Sequence, residues 1–134
     1  MKRILFLCTG NSARSQLAEG LMRHFRGHEF EVFSAGTEPK GVHPLTIEVL
    51  REIGIDAACQ TSKHIDDLPV KEFEYIITLC GSAARNCPVF FGKGKKQHQA
   101  FTDPAAASGS DREVYESFRE VRDHIKTFIL GFKG

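Results

Sequence analysis

No apolar stretch in this chain of 134 residues approaches the roughly 20 residues that a membrane-spanning helix requires. The opening MKRILFLCTG has too brief an apolar core for a signal peptide, so the expectation is a cytoplasmic protein that does not engage a membrane. An excess of charge of either sign is also missing. Eighteen lysines and arginines stand against 17 aspartates and glutamates, a formal net charge of +1, which removes the bulk electrostatic case for binding nucleic acid or a lipid surface. Low-complexity tracts are absent, and so is a dinucleotide fingerprint. The six histidines are dispersed without metal-site spacing and read as surface or capping groups, so no metal ion is expected. Cysteines are few. In a reducing cytosol the four, at 8, 59, 80 and 87, are better suited to chemistry or metal binding than to a structural disulfide framework.

What is present is ordinary globular material, 41% apolar, in a length that fits one domain over residues 1–134. Such a chain buries roughly two-thirds of its unfolded surface without staples. A monomer is expected.

The most informative stretch is LFLCTGNSARSQLAEG, residues 5 to 20. Ile4, Leu5, Phe6 and Leu7 form a short continuous apolar run, the pattern of a strand buried on both faces. After Arg14 the period changes. Leu17, Ala18, Leu21, Met22 and Phe25 recur at helical spacing, predicting a helix from about Ser15 to Arg26 that Gly27 stops. Cys8 therefore ends a strand on a loop that opens a helix. Such a loop presents unpaired backbone N–H groups and the positive end of the helix dipole, which together favour an oxyanion. Gly10 lets the backbone curl, Asn11 and Ser12 can brace it, and the planar guanidinium of Arg14 can grip two anion oxygens at once. The field that favours an oxyanion also favours a thiolate, the nucleophilic form of cysteine, and Ser15 can donate to that sulfur.

Further along, FEVFSAG (30 to 36) reads as a second strand and YIITLCG (75 to 81) as a third, with a weaker fourth around QHQAF (97 to 101). His43-Pro44 fits an N-cap and first turn, and Leu45, Ile47, Val49, Leu50 and Ile53 carry a helix to Gly54. From Asp111 to about Leu130, Val114, Phe118, Val121, Ile125, Phe128 and Ile129 describe a long amphipathic helix capped by Ser110. Strands alternating with helices predict an α/β fold: a four-stranded parallel open sheet with helices on both faces. In such sheets ligands bind at the carboxyl ends of strands, where Cys8 lies.

The Cys-x5-Arg-Ser loop, SAGTE, GID with QTS, TLCG and Asp103-Pro104 together resemble the low-molecular-weight tyrosine phosphatases over nearly the whole chain. TLC followed by NCP, at Cys80 and Cys87, is similar to the thioredoxin-coupled arsenate reductase branch of that superfamily. The resemblance implies an oxyanion cradle made of Thr9, Gly10, Asn11, Ser12, Ala13, Arg14 and Ser15. It also implies a catalytic set of Cys8, Cys80, Cys87, Arg14 and Asp103, arsenate as substrate, and no cofactor, electrons arriving from reduced thioredoxin. In that scheme Cys8 attacks arsenic while Asp103 protonates the departing oxygen. Cys80 attacks the Cys8 sulfur and arsenite leaves with the electron pair; Cys87 then attacks Cys80 and leaves a disulfide for thioredoxin.

Rival readings differ in what they leave unexplained. A tyrosine phosphatase gives Cys80 and Cys87 no task and ordinarily wants aromatic walls, where three alanines follow Asp103-Pro104 here. Some phosphatase activity is nevertheless expected from the shared cradle. A zinc module built from Cys80 and Cys87 with Cys59 or His98 meets a spacing of six intervening residues, beyond the usual two to four. Cys59 itself reads as a small buried spectator. Lys93, Lys95 and Lys96 read as a solvated loop able to steer anions or meet an acidic reductant, and Phe90 and Phe91 as core or partner contact.

Departures from the family pattern carry their own expectations. Ala13 stands where many relatives carry a further cysteine, which the three-thiol cycle does not need. Some relatives bind potassium through positions matching Asn11, Glu19, Ser34 and an aspartate after QTS; that position here is Lys63, whose ammonium can replace the ion. If the SAARNC segment is helical, the Cα atoms of Cys80 and Cys87 lie roughly 10 Å apart. A disulfide tolerates about 7 Å, so the segment must refold on oxidation.

Overall fold

A computed structural model describes residues 1–81 and 94–133. Cys87, the helix expected over SAARNC, Phe90, Phe91 and Lys93 lie outside the described residues.

The first strand, β1 (Lys2–Cys8), is the centre of the structure because its side chains leave it no alternative. Ile4, Leu5, Phe6 and Leu7 have no exposed surface. Successive side chains in a strand point to opposite faces, so four buried neighbours in a row require cover on both sides. β2 (Phe30–Gly36) and β3 (Tyr75–Thr78) flank β1, and β4 (Lys95–His98) adds to β3, giving a parallel sheet in the order β2-β1-β3-β4. All three pairings are parallel, as the alternation of strands and helices predicts.

Three helices complete the described fold. α1 (Arg14–Arg26) buries Leu17, Ala18, Leu21 and Met22 against the sheet. α2 (Pro44–Arg51) begins as expected, with His43 Nδ1 accepting from Leu45 N at 3.1 Å. It stops at Arg51 rather than running to Gly54, because the chain turns back through Gly54, whose φ of 84° is left-handed. α3 (Asp111–Gly131) opens on the Ser110–Glu113 capping box. Its buried face, Phe118, Val121, Ile125 and Ile129, contributes roughly 1.5–3 kcal/mol per fully buried large side chain, against a few tenths for an exposed pair such as Arg112–Glu116. Packing on α1 and α2, not surface charge, holds it in place.

The fourth strand corrects the expectation of 97 to 101. It lies two residues earlier, so Lys95 and Lys96 belong to an edge strand rather than a loop. All four of its residues are exposed, and backbone pairing to β3, which apolar periodicity does not report, is what defines it. Among the described residues no helix is long and apolar enough to cross a membrane.

Candidate active site

Cys8 closes β1 with only 3% of its surface exposed, directly opposite Gly36 of β2. The next five residues loop to α1, and the carbonyls of that loop are tied outward. Glu38 N donates to Thr9 O, Lys40 N and Ser62 Oγ to Gly10 O, Gln16 Nε2 to Asn11 O, and His43 N and Thr46 Oγ1 to Ser12 O, at 2.9 to 3.2 Å. With these acceptors engaged, the loop enters a helix whose N-terminus no side chain caps, the setting in which backbone N–H groups can bind an anion. Asn11, at φ 45°, supplies the left-handed turn. Gly36 is required beside it: a Cβ there would lie 2.5 Å from Thr9 O and 2.9 Å from Asn11 N.

Asn11 is a brace rather than an exposed ligand. Its fully buried side chain donates to Ser15 Oγ at 2.8 Å and Ser34 Oγ at 3.0 Å, and accepts from Lys63 N at 2.9 Å. Ser15 Oγ lies 2.9 Å from Cys8 Sγ, the contact expected for a hydroxyl serving that sulfur. Ser34 also bonds Glu19, whose carboxylate takes Arg23 at 2.8 Å and faces Lys63 Nζ at 3.9 Å. Burial pushes the Lys63 ammonium below its ordinary range, while Glu19 pulls it back up and Arg23 adds to the lowering.

On the other side, Leu7 pairs with Thr78 and Leu79 N donates to Leu7 O at 2.8 Å, so the chain leaving β3 runs beside the loop leaving β1. That register sets Cys80, 8% exposed, against the cradle, its Sγ 3.3 Å from Thr9 Oγ1. Arg14 donates to Phe101 O at 3.2 Å and meets Asp103 Oδ2 at 3.7 Å. A partly exposed pair of that length is worth at most about 1 kcal/mol, so an incoming dianion can take the guanidinium from it. Asp103 in turn caps the short turn Pro104–Ala106 through Ala105 N at 3.0 Å.

Cys8, Thr9, Gly10, Asn11, Ser12, Ala13, Arg14, Ser15, Cys80 and Asp103 thus converge on one end of the sheet, while Cys87 lies outside the described residues. The outer brace of Gln16, Thr46 and Ser62 was not anticipated. Gln16 is fully buried and donates to Asn11 O and Thr61 O while Gln60 Nε2 donates to its Oε1 at 2.8 Å. Cys59 is also a correction: it is exposed, lining a cavity of about 570 Å³ with Glu19, Arg23 and Lys63, because the turn after Asp56 buries Ala57 instead. Among the described residues no group of three or more His, Cys, Asp or Glu side chains is arranged to hold a metal ion.

Comparison with known proteins matches residues 3–132 to the family described as low molecular weight phosphotyrosine protein phosphatase. An arsenate reductase of Halalkalibacterium halodurans is 47% identical over 131 residues, covering 98% of this chain and 94% of the relative. A solved arsenate reductase in its phosphate-binding state superposes with a TM-score of 0.77 at 32% identity, covering 97% of this chain and 95% of that one. A thioredoxin-dependent arsenate reductase of Corynebacterium glutamicum gives a TM-score of 0.68 at 29% identity, over 97% of this chain and 62% of that one.

Proposed function

Since the chain belongs to the low molecular weight phosphotyrosine protein phosphatase family and shares nearly its full length with arsenate reductases, we propose that it reduces arsenate to arsenite with electrons from thioredoxin. One observation carries this reading beyond phosphate-ester hydrolysis. A second thiol, Cys80, is hydrogen-bonded to the loop that begins at Cys8, and a hydrolytic phosphatase has no use for it.

The chemistry follows from the thiols. The nest and Arg14 hold three oxygens of arsenate, a dianion shaped like phosphate. Cys8 attacks arsenic, forming an S–As bond, while Asp103 gives a proton to the oxygen that leaves. Water would only return arsenate. Cys80 instead attacks the Cys8 sulfur, an S–S bond forms, and the electron pair of the S–As bond passes to arsenic, which departs as arsenite. Cys87 then attacks the Cys80 sulfur, Cys8 leaves as thiolate, and the Cys80–Cys87 disulfide is reduced by the thioredoxin dithiol. No cofactor enters, and the protein acts as a monomer.

Arsenate-dependent NADPH oxidation, coupled through thioredoxin and thioredoxin reductase, tests the scheme. Cys8→Ser is expected to abolish both arsenate reduction and the weak hydrolysis of an aryl phosphate. Cys80→Ser and Cys87→Ser are expected to abolish reduction and spare hydrolysis. Reduction at the wild-type rate by Cys80→Ser would overturn the relay.

A further inference from the structure

We infer that Lys40 recruits the oxyanion to the cradle, an assignment that rests on the reductase reading for its substrate but not for its geometry. Lys40 is far from Cys8 in sequence and held against the cradle at two points. Its backbone N donates to Gly10 O at 2.9 Å, and its side chain lies along the face of Gly10, with Cδ 3.4 Å and Cγ 3.6 Å from where a Cβ would stand. Gly10 thus gives the lysine stem its bed as well as giving the loop its curl. The ammonium lies two bonds beyond that Cδ, and the residue is exposed.

Its surroundings leave this charge available. Among the described residues Lys40 makes no ion pair, whereas Arg14 is shared with Asp103 and Lys63 is engaged by Glu19, Ser34 O and Thr61 O. The rim segment is anchored at three positions, by Glu38 N on Thr9 O, Lys40 N on Gly10 O and His43 N on Ser12 O, so the root of the side chain is fixed even though its tip is in solvent. The whole chain carries only +1, so attraction for a dianion must come from local charge at the mouth rather than from the global field. Glu38, two residues away on the same rim and also exposed, opposes it. The two therefore set the capture of the anion with opposite sign, while bond-making stays with the groups inside.

Lys40→Met keeps the apolar stem over Gly10 and removes only the charge. At low ionic strength kcat/KM for arsenate is expected to fall about threefold to tenfold with kcat held within about twofold. The gap should close in about 0.5 M salt, where the screening length is only a few ångströms. Lys40→Arg should restore the wild-type value, and Glu38→Gln should raise kcat/KM at low salt. Equal kcat/KM in Lys40→Met and wild type at low salt, or a loss that persists at high salt or falls on kcat, would overturn the assignment. Equilibrium binding of inorganic phosphate to the same variants separates the two readings. If the wild type turned over no arsenate, the reductase proposal would fail, yet a salt-sensitive loss of phosphate affinity in Lys40→Met would still support the recruiting role.

Discussion

Lys63 shows how one side chain changes what the surrounding oxygens need. Its ammonium donates to Ser34 O at 3.2 Å and Thr61 O at 2.8 Å and lies 3.9 Å from Glu19 Oε1, carbonyl and carboxylate oxygens of the kind that hold a monovalent cation. Glu19 Oε1 also begins the chain of contacts that runs through the Ser34 hydroxyl, Asn11 and Ser15 to the Cys8 sulfur. A tethered cation pays less entropy than a free ion, so the melting temperature should be the same in potassium and sodium at equal ionic strength. Lys63→Asp should make the protein respond to potassium. A wild-type rise of more than about 3 °C in potassium, which for a domain of this size means a stabilisation near 1 kcal/mol, would contradict the replacement.

At the scale of elements, α2 and α3 are joined by Glu52, the C-cap residue just beyond α2. Its carboxylate accepts from Tyr115 Oη at 2.9 Å, Arg119 Nε at 3.0 Å and Arg122 Nη1 at 2.9 Å, and Arg122 also donates to Val49 O at 2.8 Å. The hydrogen bond from Arg119 is the largest of the effects that hold the carboxyl at about 2, against an ordinary value of 4.5. A carboxylate depressed on folding stabilises the fold fully above its unfolded value and loses that contribution as pH falls towards its folded value. The clamp should therefore be complete above about pH 4.5 and weaken towards pH 2. Because the network is largely solvent-facing, Glu52→Gln should cost only about 1 kcal/mol at pH 7, and the difference from wild type should shrink at pH 3. Urea unfolding at the two pH values checks this; an equal gap at both would mean that the carboxylate charge is not what joins the helices.

Across the whole molecule, stability should grade with position in the sheet. β1 is paired on both edges and has a buried core, whereas β4, among the described residues, pairs only with β3 and exposes all four residues. Amides in β1 should therefore outlast those of β4 in hydrogen exchange by at least about a hundredfold, and equal protection would refute the gradient. The same contrast explains what could be read in advance. β1, α1 and α3 were legible because burial imprints an apolar period on contiguous residues, and Ser110 and His43 were legible because caps are local chemistry. The strand-to-helix placement of Cys8, Gly10 and Arg14 was legible for the same reason. β4 was misplaced because an edge strand of Lys95, Lys96, Gln97 and His98 is defined by backbone pairing and carries no such period. Nothing local distinguishes Cys59 from Ala57, so the sequence alone does not show that Cys59 is exposed and Ala57 buried. Local sequence thus determined α1, α3, the start of α2, the central strand and the strand-to-helix loop after Cys8, since each depends on neighbours within a few residues. Only the tertiary structure decided that Thr46 and Ser62 hold the loop carbonyls, that Gly36 clears the loop, and that Cys80 meets Thr9. Those contacts join residues tens of positions apart through the parallel register of β1 with β2 and β3, and no periodicity along the chain encodes a register between strands.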